Sequence, residues 1–330
     1  MNTNDPLEVG LSAVVLAVTG EVPRILTVST PLGAASLPLG PLGPDSPTLE
    51  LAVRRWVFEQ AGLELGYVEQ LYTFGDRHRD PSERAGAPRQ VSVAYLALGR
   101  EALLEASGAA EWQNVYGFLP WEDSRQGRSP LIASLIAPAL SRWAASDPAE
   151  AAGRAERVDI AFGSDGAWDE ERVLERYELL YEAGLVHERA LDVAAGGGGA
   201  APEAPAIAGG GGAAPEAPAI PSLPMVADHR RILATALGRV RAKIKYRPVV
   251  FELLPEHFRL LQLQRVVEAL AGVEVHKQNF RRLVERGGLV ERTGAWDHHT
   301  GGRPAELFCF RKEVLRERPA PGVGLPKLRG

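Results

Sequence analysis

The sequence predicts an α+β fold built in two parts, and three observations lead to that prediction. Residues 11–18, 24–28 and 91–98 are β-rich, and a helical pattern at residues 48–61 lies among them. The last hundred residues instead read as three helices and two short strands. A low-complexity segment separates the two patterns. With 330 residues, the chain is long enough for two domains that each bury a core.

A second helical segment is predicted in the first part, at residues 168–184. Gly184 can end this helix, and the apolar positions recur at helical spacing as Val173, Leu174, Tyr177, Leu180 and Tyr181. We interpret the two tyrosines as core or dimer-contact residues.

The low-complexity segment contains a thirteen-residue unit written twice, at residues 196–208 and 209–221. It has no aromatic residue and almost no charge, so we interpret residues 194–222 as a flexible Gly/Ala/Pro-rich linker. A flexible chain of this length spans about 30 Å, which predicts that the flanking parts move relative to one another. The expected domains are therefore residues 1–193, including a helical C-terminal extension, and residues 223–330.

Charge divides the chain in the same way. Residues 223–330 hold 21 Lys and Arg against 11 Asp and Glu, a balance of +10. Residues 1–222 hold 16 against 31, a balance of −15, and the two sum to the −5 of the whole chain. An acidic body with a basic end is expected when one part approaches phosphates, although a merely solvated basic face would have the same composition.

Composition excludes several other classes of protein. Apolar runs such as residues 9–18 are too short to span a bilayer, and the N-terminus lacks the basic start of a secretory signal, so a cytoplasmic location is expected. Cys309 is the single cysteine, which excludes an internal disulfide and a thiolate zinc site.

The basic region predicts three helices. Asp228 can cap the first, which Pro248 ends, and its apolar face consists of Ile232, Leu233, Ala236, Leu237, Val240 and Ile244. The second ends at Gly272 and carries Leu263, Val266, Val267 and Leu270. The third covers residues 275–286 and has one apolar face, formed by Phe280, Leu283 and Val284.

The polar side chains of the third helix and its first turn predict DNA recognition. They are His276, Lys277, Gln278, Asn279, Arg281, Arg282 and Arg286. Arginine and lysine bind guanine edges or phosphates, and glutamine and asparagine can pair with adenine in the major groove. Residues 289–293 and 305–310 then read as the strands of a wing, whose tip offers Arg303 to the phosphate backbone or the minor groove. A winged helix that binds protein instead would leave these residues as ordinary exposed charges.

Residues 37–64 of the acidic part resemble the Nudix box, G-x5-E-x7-R-E-U-x-E-E-x-G-U with U aliphatic. Aligned on Gly62 and Leu63, Arg55 falls on the motif arginine and Glu59 on the first glutamate of the final pair. Trp56 and Gln60 replace the other two helical glutamates, and Pro47 stands at the upstream glutamate position. Since carboxylates on neighbouring helical turns hold the Mg²⁺ of that motif, the box is catalytically degenerate.

Four further motifs follow the box in order: VEQLYTFGDRHRDP, VSVAYLAL, HKQNFRRLV and GGRPAELF. With FLPWED and LERYELLYEAGLV between them, the chain resembles the Nudix-related transcriptional regulators of NAD metabolism, of the NAD regulator type of alphaproteobacteria. The resemblance covers nearly the whole chain except the linker. It implies a Nudix-like α/β/α sandwich that senses a nucleotide, followed by a C-terminal winged helix-turn-helix that binds double-stranded operator DNA as a homodimer.

In that family the effector is ADP-ribose or a related NAD-derived nucleotide, so no cofactor is expected to be required. Carried over by position, the candidate ligand contacts are Arg55 and Glu59 of the box and Asp76, Arg79 and Asp80 of the loop that follows. Arginines there would suit a diphosphate. No catalytic and no metal-ligating residue is expected, and the resemblance implies a regulator, with repression as the expected sign.

The alternative is an active Mg²⁺-dependent Nudix pyrophosphatase whose basic domain binds nucleic acid. The sequence leaves open whether Glu59 and another carboxylate still hold Mg²⁺.

Overall fold

The structure is a computed structural model that describes residues 7–30, 34–80, 82–83, 86–102, 104, 110–163, 168–194, 220–299, 303–317 and 322–323. Most of the predicted linker, residues 195–219, lies outside these ranges, as do residues 300–302 of the predicted wing tip. In the ranges that are described, no helix is both long enough and apolar enough to cross a membrane.

A mixed seven-stranded sheet forms the body of the described N-terminal part. Its strands are β1 (Leu7–Thr19), β2 (Val22–Ser29), β3 (Ala35–Ser36), β4 (Leu39–Pro41), β5 (Tyr67–Phe74), β6 (Arg89–Leu98) and β7 (Ala110–Asn114). The order is β3-β2-β1-β6-β5, with β4 paired to β1 and β7 to β2. The central pair is parallel, because residues 7–16 of β1 align with residues 89–98 of β6. Two further strands, β8 (Val290–Asp297) and β9 (Ala305–Phe310), form a separate antiparallel hairpin.

Ten α-helices occur in the described residues. They are α1 (Leu49–Ala61), α2 (Val115–Phe118), α3 (Ala137–Ala145), α4 (Ala151–Phe162), α5 (Val173–Glu182), α6 (His187–Ala194), α7 (His229–Ile244), α8 (Leu260–Ala271), α9 (Lys277–Arg286) and α10 (Val314–Glu317). Short 3₁₀ helices cover Pro120–Glu122 and Val249–Leu253, and a π-helical turn at Ile132–Ile136 leads into α3. The helix predicted at residues 48–61 is confirmed, since Thr48 caps α1 by accepting from the Leu51 N–H and Gly62 ends it at φ 67°.

One face of the sheet packs on α1. The buried side chains of this layer are Leu11, Ala13, Val15, Val93, Tyr95 and Ala97 from the sheet and Ala52, Val53, Val57 and Ala61 from the helix. Because successive side chains of β1 point to opposite faces, the intervening residues Val14 and Leu16 lie on the other face of the sheet. Because both faces are apolar, the sheet needs a second helical layer.

That second layer comes largely from the basic part of the chain. The cluster that begins at Val14 and Leu16 continues through α5, α7 and α8 to Phe280, Val284 and Phe308. The predicted α/β/α arrangement is therefore present, with α7 and α8 in contact with the sheet strands. Separating the two parts would expose this apolar face to water.

The continuous core shows that the two parts pack on one another, whereas the composition of the linker predicts that they move relative to one another. The end of the predicted linker packs on the N-terminal part, since Ile220 is buried and its N–H donates to the Leu185 carbonyl at 2.9 Å. The Leu223 N–H donates to the Gly117 carbonyl at 2.8 Å. The domain limits at residues 193 and 222 remain a prediction.

A buried ion network joins three segments behind the sheet. Glu122 accepts hydrogen bonds from Arg176 of α5 at 2.6 and 2.9 Å and from Arg241 of α7 at 2.5 Å, and all three side chains are almost completely buried. Burial alone would raise the pKa of Glu122, but the charges and hydrogen bonds of Arg176 and Arg241 outweigh it and hold that pKa below its usual value. The carboxylate therefore stays ionised at neutral pH.

Replacing Glu122 by Gln should lower the free energy of unfolding by about 3–5 kcal/mol, because two buried guanidinium groups would lose their counter-charge. Urea denaturation measures the change. Glu59→Gln makes the same substitution on an exposed side chain of α1 and should shift stability by less than about 0.5 kcal/mol. Wild-type stability in the Glu122→Gln protein would contradict this account of the network.

Candidate nucleic-acid interface and nucleotide site

Helix α9 has the two faces that the sequence predicts for a recognition helix. Phe280 and Val284 are fully buried, and Leu283 is half-buried beside them. The exposed side chains are His276, Lys277, Gln278, Arg281, Arg282 and Arg286, with Asn279 half-buried. Arg282 donates to the Asn279 side-chain oxygen at 3.3 Å. The exposed face therefore combines cations with two amide side chains that could contact bases.

The turn that leads into α9 is held by residues from the rest of the protein. The last carbonyls of a helix have no partner within it, so those of α8 must be satisfied from outside. Tyr116 donates its hydroxyl to the Ala269 carbonyl at 2.6 Å, and Arg241 donates to Leu270 at 3.0 Å. The Ser124 N–H donates to the Gly272 carbonyl at 2.7 Å. The N-terminal part thus fixes the position of the helix-turn-helix directly.

Gly272 is required at this turn for two reasons. Its φ of 71° lies in the left-handed region, where side chains are disfavoured. A Cβ at this position would also lie 2.4 Å from the Glu122 carbonyl oxygen and 2.6 Å from Arg241 Nη2. The turn therefore packs so closely on the buried network that only glycine fits.

The predicted wing is present as β8 and β9. Strand β8 is longer than the predicted residues 289–293 because pairing resumes at Trp296 and Asp297 after a register shift. Gly294, at φ 78°, lies within that shift. Arg303 is exposed near the start of β9, as expected of a wing-tip residue.

Helix α1 shows what replaces the missing glutamates of the Nudix box. Trp56 donates its indole N–H to the Pro41 carbonyl at 3.1 Å, and its ring lies on Gly40, where a Cβ would come within 2.1 Å. Gln60 pairs with the backbone of Leu39, accepting from its N–H at 3.2 Å and donating to its carbonyl at 2.6 Å. Both side chains thus bind helix α1 to strand β4.

The remaining box residues are accessible. The side chains of Arg55 and Glu59 are 45% and 49% exposed and approach one another at 3.7 Å. Among the residues that the structure describes, no three His, Cys, Asp or Glu side chains come together in a way that could hold a metal ion. A magnesium site of the Nudix kind does not fit this donor set, because Trp56 and Gln60 occupy two ligand positions.

In the loop at residues 75–80, the predicted ligand residue Arg79 pairs with another part of the protein. Arg79 is only 6% exposed and binds both oxygens of Asp228, at 2.6 and 3.0 Å, just before α7. Asp76 is exposed and lies 3.4 Å from Arg231 of α7, while Asp80 accepts from the Ser82 N–H at 2.8 Å. The loop therefore contacts the start of α7.

Asp228 does not cap α7 with its side chain, contrary to expectation, because Arg79 occupies the carboxylate. The next residue, His229, is buried and accepts the Leu37 N–H on Nδ1 at 3.1 Å. Burial lowers the pKa of His229 to about 4, so the ring is neutral and can accept this hydrogen bond at neutral pH. These two residues bind the start of α7 to the sheet and its loop.

Several cations of the basic part bind the acidic part, and the sequence analysis did not identify these pairs. Arg230 is fully buried and binds Glu188, and Arg231 donates to Glu178 at 2.6 Å. Lys243 binds Glu69. The opposite charges of the two parts are the signal that could have indicated this contact. Four of the five cations of α7, Arg230, Arg231, Arg241 and Lys243, are thus paired within the protein, whereas most of the cations of α9 are exposed.

Residues 250–310 match the family of the NrtR DNA-binding winged helix domain. They are a winged helix domain of the NrtR type. The chain is also similar to the ADPR responsive transcriptional repressor NtrR of Acinetobacter baylyi, with 34% identity over 88 residues. That match covers 27% of this chain and 35% of the relative, so the chain spans about a third of the length of the curated protein.

The whole fold is similar to two solved structures. Shewanella oneidensis NrtR complexed with a 27mer DNA matches with a TM-score of 0.53 and 19% identity, over 93% of this chain and 95% of that chain. A MutT/nudix family protein from Enterococcus faecalis matches with a TM-score of 0.52 and 16% identity, over 93% and 89%. The predicted fold, a Nudix-like domain followed by a C-terminal winged helix-turn-helix, is confirmed, as is the resemblance to Nudix-related regulators.

Gly272→Ala should destabilise the protein by several kcal/mol, because a methyl group would clash with the Glu122 carbonyl and force a strained φ. Thermal unfolding measures the loss. Gly153→Ala is the matched control, since this glycine lies within α4 and nothing would meet its Cβ within 4 Å. The control should be neutral or more stable by up to about 1 kcal/mol. Equal effects of the two substitutions would show that the turn is not closely packed.

Proposed function

We propose that the protein is a DNA-binding transcriptional regulator of NAD metabolism genes that senses ADP-ribose or a related NAD-derived nucleotide. The observation that carries this proposal is the exposed basic helix α9 of an NrtR-type winged helix, held in place by the Nudix-like part. The curated relative is named an ADPR responsive repressor, which supports repression as the sign of regulation.

Operator recognition follows from the exposed face of α9. In the major groove, Gln278 and Asn279 can pair with adenine, while Arg281 and Arg282 can bind guanine or phosphate. Lys277 at the first turn and Arg303 on the wing would contact the phosphate backbone. We further propose a homodimer, because two copies of α9 would read a two-fold symmetric operator.

The proposed effector site is the accessible part of the degenerate box. Arg55 and Glu59 are solvent-accessible, and a guanidinium group can bind a diphosphate through two charge-assisted hydrogen bonds. Asp76 and Asp80 of the loop at residues 75–80 are further candidates, whereas Arg79 would act by positioning that loop through Asp228. Trp56 and Gln60 support binding without metal-dependent cleavage, so we assign no catalytic residue.

Effector binding would reach DNA through packed contacts rather than through the linker. The loop at residues 75–80 binds the start of α7, and Arg241 on α7 binds both Glu122 and the end of α8. The next residues along the chain are the turn and α9. A nucleotide can shift operator affinity only if it binds one arrangement of these elements more tightly than another.

The alternative activity, Mg²⁺-dependent hydrolysis of ADP-ribose, is not favoured by this geometry. It would require carboxylates at the positions that Trp56 and Gln60 hold against β4. Release of AMP and ribose phosphate that depends on Mg²⁺ and is lost in Glu59→Gln would support the enzyme instead.

Arg281→Ala combined with Arg282→Ala should weaken binding to promoter fragments of the NAD genes by at least about tenfold, and it should lower the salt slope by roughly two. Fluorescence anisotropy at several salt concentrations measures both quantities. The control combines Arg142→Ala with Arg157→Ala, which removes the same charge from exposed positions on α3 and α4. Equal losses in the two double variants would indicate a general charge effect and contradict a recognition helix.

ADP-ribose should change the operator affinity of the wild-type protein, and the operator should change the affinity for ADP-ribose by the same factor. Arg55→Ala should abolish the response while retaining DNA binding, because the guanidinium is accessible and belongs to α1 rather than to α9. Arg157→Ala is the matched control and should respond as the wild type does. Operator affinity that no NAD-derived nucleotide alters would remove the sensor function and leave the DNA-binding function intact.

A further inference from the structure

The wing exposes one aromatic side chain that no protein contact explains. Trp296 on β8 is 51% exposed, whereas the other five of the six tryptophans are buried or half-buried. Trp56 and Trp112 donate to backbone carbonyls, and Trp143 and Trp168 lie under guanidinium groups. The Trp296 indole has no hydrogen bond, ring contact or cation–π contact to any residue that the structure describes.

The pairing of the wing strands shows which face carries this indole. Every second residue of β9 lies on the same face of the hairpin, and on one face these residues are Glu306, Phe308 and Phe310. Trp296 lies opposite Glu306. At the base of the hairpin that face packs on the domain, since Phe310 stacks on Phe251 at 4.3 Å and Phe308 is 4% exposed. Trp296 therefore lies on the same side of the wing as Phe308 and Phe310, but it is 51% exposed whereas Phe308 is buried.

Two arginines lie on the same hairpin as this apolar side chain. Arg292 is on the same face, opposite Phe308, and its side chain is 65% exposed while it pairs with Glu306 at 2.6 Å; Arg303 is exposed near the start of the opposing strand. Only residues 287–289 separate β8 from the basic helix α9. A large apolar group among cations is suited to a nucleic acid, whose sugars and bases contact the ring while its phosphates meet the charges.

We propose that Trp296 is a direct DNA contact, with its indole packed against the sugars and base edges of the minor groove beside the major groove that α9 occupies. This inference rests on the proposed DNA-binding function. Because the interaction is apolar, it contributes affinity without contributing to the salt dependence, in contrast to the arginines of α9.

The test uses full-length protein and the promoter duplex that the wild type retains. Trp296→Ala should lower affinity about tenfold with an unchanged salt slope, and Trp296→Phe should retain most of the affinity because it keeps an aromatic ring. Leu315→Ala, which removes another exposed apolar side chain from the same part of the chain, is the control and should bind as the wild type does.

Tryptophan fluorescence provides a second measurement that does not depend on comparing affinities. Addition of the duplex should alter the emission of the wild type, and most of that change should disappear in Trp296→Phe. Wild-type affinity in Trp296→Ala, or an emission change that Trp296→Phe leaves intact, would overturn the proposal while the DNA-binding function stands. If the wild-type protein retains no duplex selectively, both the contact and the proposed function are wrong.

Discussion

Three segments that are far apart in the sequence meet at the carboxylate of Glu122, where Arg176 and Arg241 bind. The charges are buried, so their arrangement is tolerated only because each carboxylate oxygen has a guanidinium partner at short distance. Arg241 also donates to the Leu270 carbonyl, and Gly272 packs against the Glu122 carbonyl. The placement of α5, of α7 and of the turn before α9 therefore depends on this one group.

The sheet requires helices on both of its faces. Both of its faces are apolar, and α1 covers only one. The second layer includes α7 and α8, so the helices that support the winged helix also complete the core of the Nudix-like part. In this arrangement, a displacement of the loop that binds Asp228 would alter the contacts of the sheet, of α7 and of the turn in front of α9. The long low-complexity segment is not needed to transmit it.

Local patterns predicted the elements well, because helical spacing and caps are properties of neighbouring residues. Thr48 and Gly62 limit α1 as expected, and the buried and exposed faces of α9 follow directly from residues 277–286. The candidate nucleotide site was harder to predict. The motif around Arg79 predicts that this residue contacts a ligand, but in the fold Arg79 binds Asp228, which is 149 residues away in the sequence. Four cations of α7, Arg230, Arg231, Arg241 and Lys243, also pair with residues that are distant in the sequence. The low-complexity segment between the two parts of the chain predicts that they move relative to one another. The apolar second face of β1, however, requires that the two parts pack together.

Scanning calorimetry of the full-length protein can establish whether the sheet and the winged helix form one packed unit. If they do, the protein unfolds in a single transition whose calorimetric and van't Hoff enthalpies agree, and tryptophan fluorescence and far-ultraviolet circular dichroism change together. Two separate transitions, one for the sheet and one for residues 250–310, would contradict such a unit.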